Sequence, residues 1–173
     1  MGSVPPIIVM GVQGSGKSTI GALLAAQLGV PFIDGDNLHS AENKEWMASG
    51  RALSDAQRLP WLRSVGGSLA AGAGSGVVVA CSALKRGYRD LLREYAPAMF
   101  TVFAQGDIAL IRARIEARDH EFMPDSLLKT QFDDLEERQD DEVGLTVDIS
   151  KSPEQVVEAI ITDTRLRSFS YED

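Results

Sequence analysis

The sequence predicts an α/β protein: three layers, with a five-stranded parallel sheet between helices. Three observations predict it. Short β-branched, apolar runs alternate along the chain with longer stretches of helical character, the pattern of strands joined by crossover helices. The first such run, Ile7-Ile8-Val9-Met10, leads straight into a glycine-rich loop and then an Ala- and Leu-rich helix. The length of 173 residues, with 44% hydrophobic and 24% charged residues, suits one soluble globular domain spanning 1–173.

The loop is Gly11-Val12-Gln13-Gly14-Ser15-Gly16-Lys17-Ser18, which fits G-x-x-x-x-G-K-[ST], the phosphate-cradling P-loop pattern. Glycines let backbone N–H groups converge on one concavity, and the helix N-terminus adds positive potential there. Gly11, Gly14, Ser15, Gly16, Lys17, Ser18 and Thr19 are therefore the candidate nucleotide contacts. Lys17 can reach the β- and γ-phosphates, and the Ser18 hydroxyl can ligate Mg²⁺. The helix runs from Lys17 to Leu28 and stops at Gly29.

Residues 30–33 form the second predicted strand, ending in Asp34-Gly35-Asp36. Ligands of open α/β sheets lie beyond the carboxyl ends of strands, so two carboxylates spaced i and i+2 can face one crevice. One can orient Mg²⁺ or its waters, and the other can accept a proton from a substrate hydroxyl. An Asp-Gly turn is the plainer alternative. A helix is expected over 37–49, with Asn37 or Ser40 as its cap and His39 near its start. His39 can serve as a cap or bind a polyhydroxylated substrate, and Lys44 is expected in solvent. Ser54-Asp55-Ala56-Gln57 has the form of a capping box, opening a helix over about 55–73. Arg58 in its first turn opposes the helix dipole, which leaves an anionic ligand as one reason for it.

Val77-Val78-Val79-Ala80 is the third strand. No Asp follows it, so metal handling falls to Ser18, waters and Asp34. Lys85, Arg86 and Arg89 come just past its end, where an anion would lie, with a solvated basic turn as the alternative. A short helix over 88–95, a strand over 99–104 and a helix over 108–117 capped by Asp107 come next. Arg112 and Arg114 stud that last helix, and Arg118 follows it directly. With the helix expected over 126–138 it reads as a lid, about 118–138, closing on the nucleotide. A surface helix laced with ion pairs is the alternative. A fifth strand over 145–149 and a helix from Ser152-Pro153 to about 164 complete the sheet and its cover.

Several blocks together resemble the gluconokinases: the loop 11–18, Asp34-Gly35-Asp36 with Leu38-His39, and Met47-Ala48-Ser49-Gly50. So do Leu53-Ser54-Asp55 with Arg58 and Pro60-Trp61-Leu62, Cys81-Ser82-Ala83-Leu84-Lys85, and Tyr88-Arg89-Asp90-Leu91-Leu92-Arg93. Phe122-Met123-Pro124 and Gln131-Phe132 extend the likeness to residues 8–160 in the family's order. The resemblance implies a nucleoside-monophosphate-kinase-like P-loop fold, usually dimeric. It implies ATP- and Mg²⁺-dependent phosphorylation of D-gluconate at its 6-hydroxyl. It maps substrate binding onto Asp36, His39, Arg58, Lys85 and Arg89, the lid arginine onto Arg118 and the adenine contact onto Arg114. Lys17, Asp36 and Arg118 become the catalytic group, with Ser18 and Asp34 at the metal. The chain departs from the family at Gln13, at Asp119-His120-Glu121-Phe122 and at Arg138.

Shikimate kinase is the nearest alternative substrate class, and a GTP-dependent switch the alternative of another kind. Asp141-Glu142-Val143-Gly144 and Asn43-Lys44-Glu45-Trp46 imitate switch motifs, but neither lies where a switch needs it. A net charge of −8 argues against nucleic-acid binding. No run of apolar residues reaches membrane-spanning length. One cysteine, Cys81, suits a reducing compartment, so the cytoplasm is the expected location.

Overall fold

The computed structural model describes residues 4–117, 125–163 and 166. The strands are β1 (Pro6–Met10), β2 (Phe32–Asp34), β3 (Val77–Ala80), β4 (Phe100–Gln105) and β5 (Gly144–Asp148). They form one sheet in the order β2-β3-β1-β4-β5, with parallel pairing throughout. The helices are α1 (Lys17–Leu28), α2 (Ala41–Ala48), α3 (Asp55–Ala71), α4 (Arg86–Tyr95), α5 (Ile108–Glu116), α6 (Asp125–Asp134) and α7 (Pro153–Ile161).

The side-chain alternation of a strand sorts the core into two faces. Ile7, Val9, Val78 and Val102 pack with Ile20, Leu24, Ile111, Val157 and Ile160, from α1, α5 and α7. Ile8, Met10, Val77, Val79 and Phe103 pack on the opposite face with Trp61, Leu62, Val65, Leu69 and Leu92, from α3 and α4. A parallel sheet covered on both faces explains why its strands read as unbroken apolar runs. The chain goes from β1 outward to β2 and returns to β3, then crosses to β4 on the other side. A crevice therefore opens at the carboxyl end of β1, where the order reverses, and the glycine loop sits there.

Local signals fix the helix ends. Ser54 and Gln57 make the reciprocal capping box at α3, and Ser152 and Gln155 make another at α7. Where α3 meets α4, a Cβ at Gly66 would come within 2.6 Å of the Tyr95 ring, so the glycine lets the helices close up.

Two elements differ from expectation. The stretch 37–49 is not one helix: a 3-10 turn, Gly35–Leu38, is followed by a break at His39 and then α2. Asp34 accepts the Asp36 N–H at 3.0 Å and Ser40 accepts the Asn43 N–H at 3.1 Å, so two local side-chain bonds each start their own turn. And α6 ends at Asp134, not 138, because the next residues bond elsewhere: the Glu136 N–H donates to the Leu84 carbonyl at 2.7 Å. Among the described residues no helix is long and apolar enough to cross a membrane.

Candidate active site

Gly14 and Gly16 have φ of +82° and +84°, the left-handed region that turns the loop into α1. At Gly14 a Cβ would also stand 2.7 Å from Ile115, so the loop is seated directly against α5. Lys17 is nearly buried, and the buried Ser15 hydroxyl has no hydrogen-bond partner among the described residues. An orphaned polar group inside a ring of N–H donors is what an anion-binding loop presents before its ligand arrives.

A cleft of about 390 Å³ opens beside the loop. Ser15, Gly16 and Thr19 form one wall, and Arg114, Ile149, Lys151 and Pro153 the other. Arg114 is held there by donating to the Ile149 carbonyl. A partly apolar cleft next to a phosphate cradle suits a nucleoside.

Ser18 Oγ donates to Asp34 Oδ2 at 3.3 Å. Asp34 ends β2, alongside Ala80 of β3, so the neighbouring strand supplies the carboxylate that β3 lacks. A hydroxyl and a carboxylate are hard oxygen donors, a set suited to Mg²⁺ that keeps waters and phosphate oxygens as its other ligands. No cluster of three or more His, Cys, Asp or Glu able to cage a metal occurs among the described residues.

A second cavity, about 400 Å³, takes Gln13 and Lys17 of the glycine loop into its lining. Asp36, His39, Lys44, Arg58, Trp61 and Ser82 line it, and Leu127, Thr130 and Gln131 of α6 form its roof. Gln131 also accepts the Gln13 backbone N–H at 2.7 Å, which ties that roof to the glycine loop. His39 stacks on Trp61 at 4.1 Å, and Trp61 is itself fixed by donating from Nε1 to the Gly35 carbonyl at 2.8 Å. Burial holds the His39 pKa below its ordinary 6.5, outweighing the nearby Asp36 carboxylate; Arg58 and Lys44 push the same way as burial. A neutral imidazole with an unpartnered Nδ1 can both donate to and accept from sugar hydroxyls.

Arg58 donates to Tyr88 Oη at 3.0 Å, and the Tyr88 hydroxyl donates in turn to Asp55. Lys85 reaches Asp55 at 3.4 Å. Among the expected substrate residues, then, Asp36, His39 and Arg58 line the cavity. Lys85 does not; it belongs to the exposed cluster behind Arg58. Arg89 is a correction. Its side chain is fully buried and donates to Glu142, at 2.7 Å and 3.0 Å, and to three backbone carbonyls, so it cannot face a ligand. Arg118 and the segment 119–124 lie outside the described residues.

Sequence reading missed other members of the site. Lys44 is exposed, as expected, yet it also lines the cavity. Gln13 and Thr130 carry no signal of their own. The lid helix was expected over the nucleotide, yet its described part roofs the second cavity.

Comparison with known proteins follows this geometry closely. The family model for shikimate kinase matches residues 13–165. The thermosensitive gluconokinase of Escherichia coli K12 is 43% identical over 162 residues, 89% of this chain and 86% of that protein. The gluconokinase of Arabidopsis thaliana is 39% identical, covering 90% and 89%. The crystal structure of a gluconokinase from Sinorhizobium meliloti 1021 superposes with a TM-score of 0.88 at 40% identity, over 98% of this chain and 95% of that one.

Proposed function

This chain belongs to the gluconokinase family, within the wider range of the shikimate kinase family model, and from that premise we propose that it transfers the γ-phosphoryl group of ATP to the 6-hydroxyl of D-gluconate, giving 6-phospho-D-gluconate. The observation that carries the reading is the charge of the second cavity. Lys17, Lys44 and Arg58 face one carboxylate there, Asp36, in a chain whose net charge is −8. A local excess of cations in an acidic protein favours an anionic substrate, and the neutral His39 and Gln131 suit its hydroxyls.

In this reading the Arg58 guanidinium grips the gluconate carboxylate through paired N–H donors, with Tyr88 and Asp55 fixing its orientation. Asp36 takes the proton of the 6-hydroxyl as its oxygen bonds to the γ-phosphorus. The bond from that phosphorus to the bridging oxygen breaks, and ADP leaves. Lys17, which lines the acceptor cavity from within the phosphate loop, neutralises the charge of the phosphoryl group in flight. Ser18 and Asp34 would hold Mg²⁺, which supplies charge neutralisation at the phosphates. Arg118 is assigned the lid cation and Arg114 the adenine side of the nucleotide cleft. A cytoplasmic homodimer is part of the proposal; the buried, unpaired Cys81 supports a reducing setting.

The test is a coupled ADP-release assay with ATP and D-gluconate, shikimate and D-glucose. Gluconate should be turned over best. Glucose lacks the carboxylate, and losing a charge-assisted hydrogen bond of roughly 1.5–3 kcal/mol predicts a kcat/KM lower by about 10- to 100-fold. Faster turnover of shikimate or glucose would overturn the reading.

A further inference from the structure

We infer that Arg89, although it touches no substrate, is a positioning residue for the acceptor site: its buried pair with Glu142 holds the Ala83 turn, and with it the wall that Ser82 and Leu84 present to gluconate. The inference rests on the proposed reaction and adds a residue to it.

All five guanidinium N–H groups of Arg89 are used. Nε and Nη2 donate to the two Glu142 carboxylate oxygens at 2.7 Å and 3.0 Å. Nη1 donates to the carbonyls of Ala83 at 2.9 Å and Leu84 at 3.2 Å, and Nη2 to that of Glu137 at 3.2 Å. Lysine cannot reproduce this planar fork. Arg89 and Glu142 are 0% and 1% exposed, so neither charge is shared with water.

Ala83 is where the pair acts. It is the residue other than glycine with positive φ among those described, at +42°. A buried residue with a Cβ in this region stores backbone strain, which persists only where its surroundings impose it. Arg89 bonds to the carbonyls of that residue and the next. The residues either side of Ala83 line the acceptor cavity, and the Ser82 carbonyl accepts the Gly11 N–H at 3.3 Å, at the start of the glycine loop. The Leu84 carbonyl also accepts the Glu136 N–H at 2.7 Å, just past α6. One side chain thus fixes a strained wall of the cavity and the strand of chain that anchors its roof.

The experiment measures kcat and the KM for gluconate and for ATP in wild type, R89K, A83G and R89K/A83G, with thermal melts of each. R89K should raise the gluconate KM by about tenfold or more while the ATP KM moves less than about threefold, as a displaced wall implies. Glycine adopts the Ala83 conformation without strain, so the R89K penalty measured against A83G should be at most about a third of that against wild type. Equal shifts in both KM values, no shift, or the same penalty in both backgrounds would overturn the inference. Should R89K fail to fold, the double variant decides. Folding with a gluconate KM near that of A83G supports the inference; failing to fold as well makes Arg89 a stabilising residue only and overturns it. A wild type that does not phosphorylate gluconate would defeat the proposed function instead, and is read separately.

Discussion

Glu142→Gln tests the buried pair at its acidic end. Burial alone would raise the Glu142 pKa, but hydrogen bonds from Arg89, the Gln139 N–H and Arg93 outweigh it and hold the carboxyl at about 2, against an ordinary 4.5. A carboxyl ionised in the native state down to about 2 lets the unfolded chain take up the proton first. Its stabilisation is full above about 4.5 and drains away as pH falls toward about 2. The gap of roughly 2.5 pH units corresponds to about 3 kcal/mol. The substitution also leaves the Arg89 cation buried opposite an amide, and removing one partner of such a pair costs about 3–5 kcal/mol. The two figures agree on a large share of a typical domain's stability, about 5–15 kcal/mol. Urea unfolding should show Glu142→Gln less stable by about 3 kcal/mol at pH 7. At pH 3.5, one unit below the ordinary carboxyl value, that deficit should shrink by about 1 kcal/mol. A deficit below about 1 kcal/mol at pH 7, or one that does not change with pH, would refute the reasoning.

Three further outcomes follow from the site. Lys17→Ala should lower kcat by about 10²–10³-fold or more without altering the melting transition; near-normal turnover would contradict a transition-state role. Arg58→Ala should raise the gluconate KM by roughly 10- to 100-fold and the ATP KM by far less, and equal effects on both would contradict carboxylate binding. His39 is depressed by burial, so the unfolded chain binds its proton first, and stability should fall as pH drops below 6.5. Melting scans from pH 7 to 5.5 should show wild type losing more thermal stability than His39→Asn, and parallel curves would count against a buried neutral imidazole.

Much of this was legible before any coordinates. The strands announce themselves as β-branched runs because both faces of the sheet are covered, and the caps at Ser54 and Ser152 are local chemistry. The glycine loop, Asp34, Asp36 and Arg58 are placed by rules that tie ligands to strand ends and cations to anions. What stayed hidden depends on partners far along the chain. Arg89 looks like a ligand-binding cation just past a strand; only the fold brings Glu142 to it across 53 positions. Glu142 sits in a stretch that reads as an accidental motif, and nothing local marks it as buried.

The bond from Gln13 to Gln131 means that the sugar acid's chamber has its ceiling on before any guest arrives. A shift of the glycine loop when phosphates bind is therefore passed to the chamber through a single hydrogen bond.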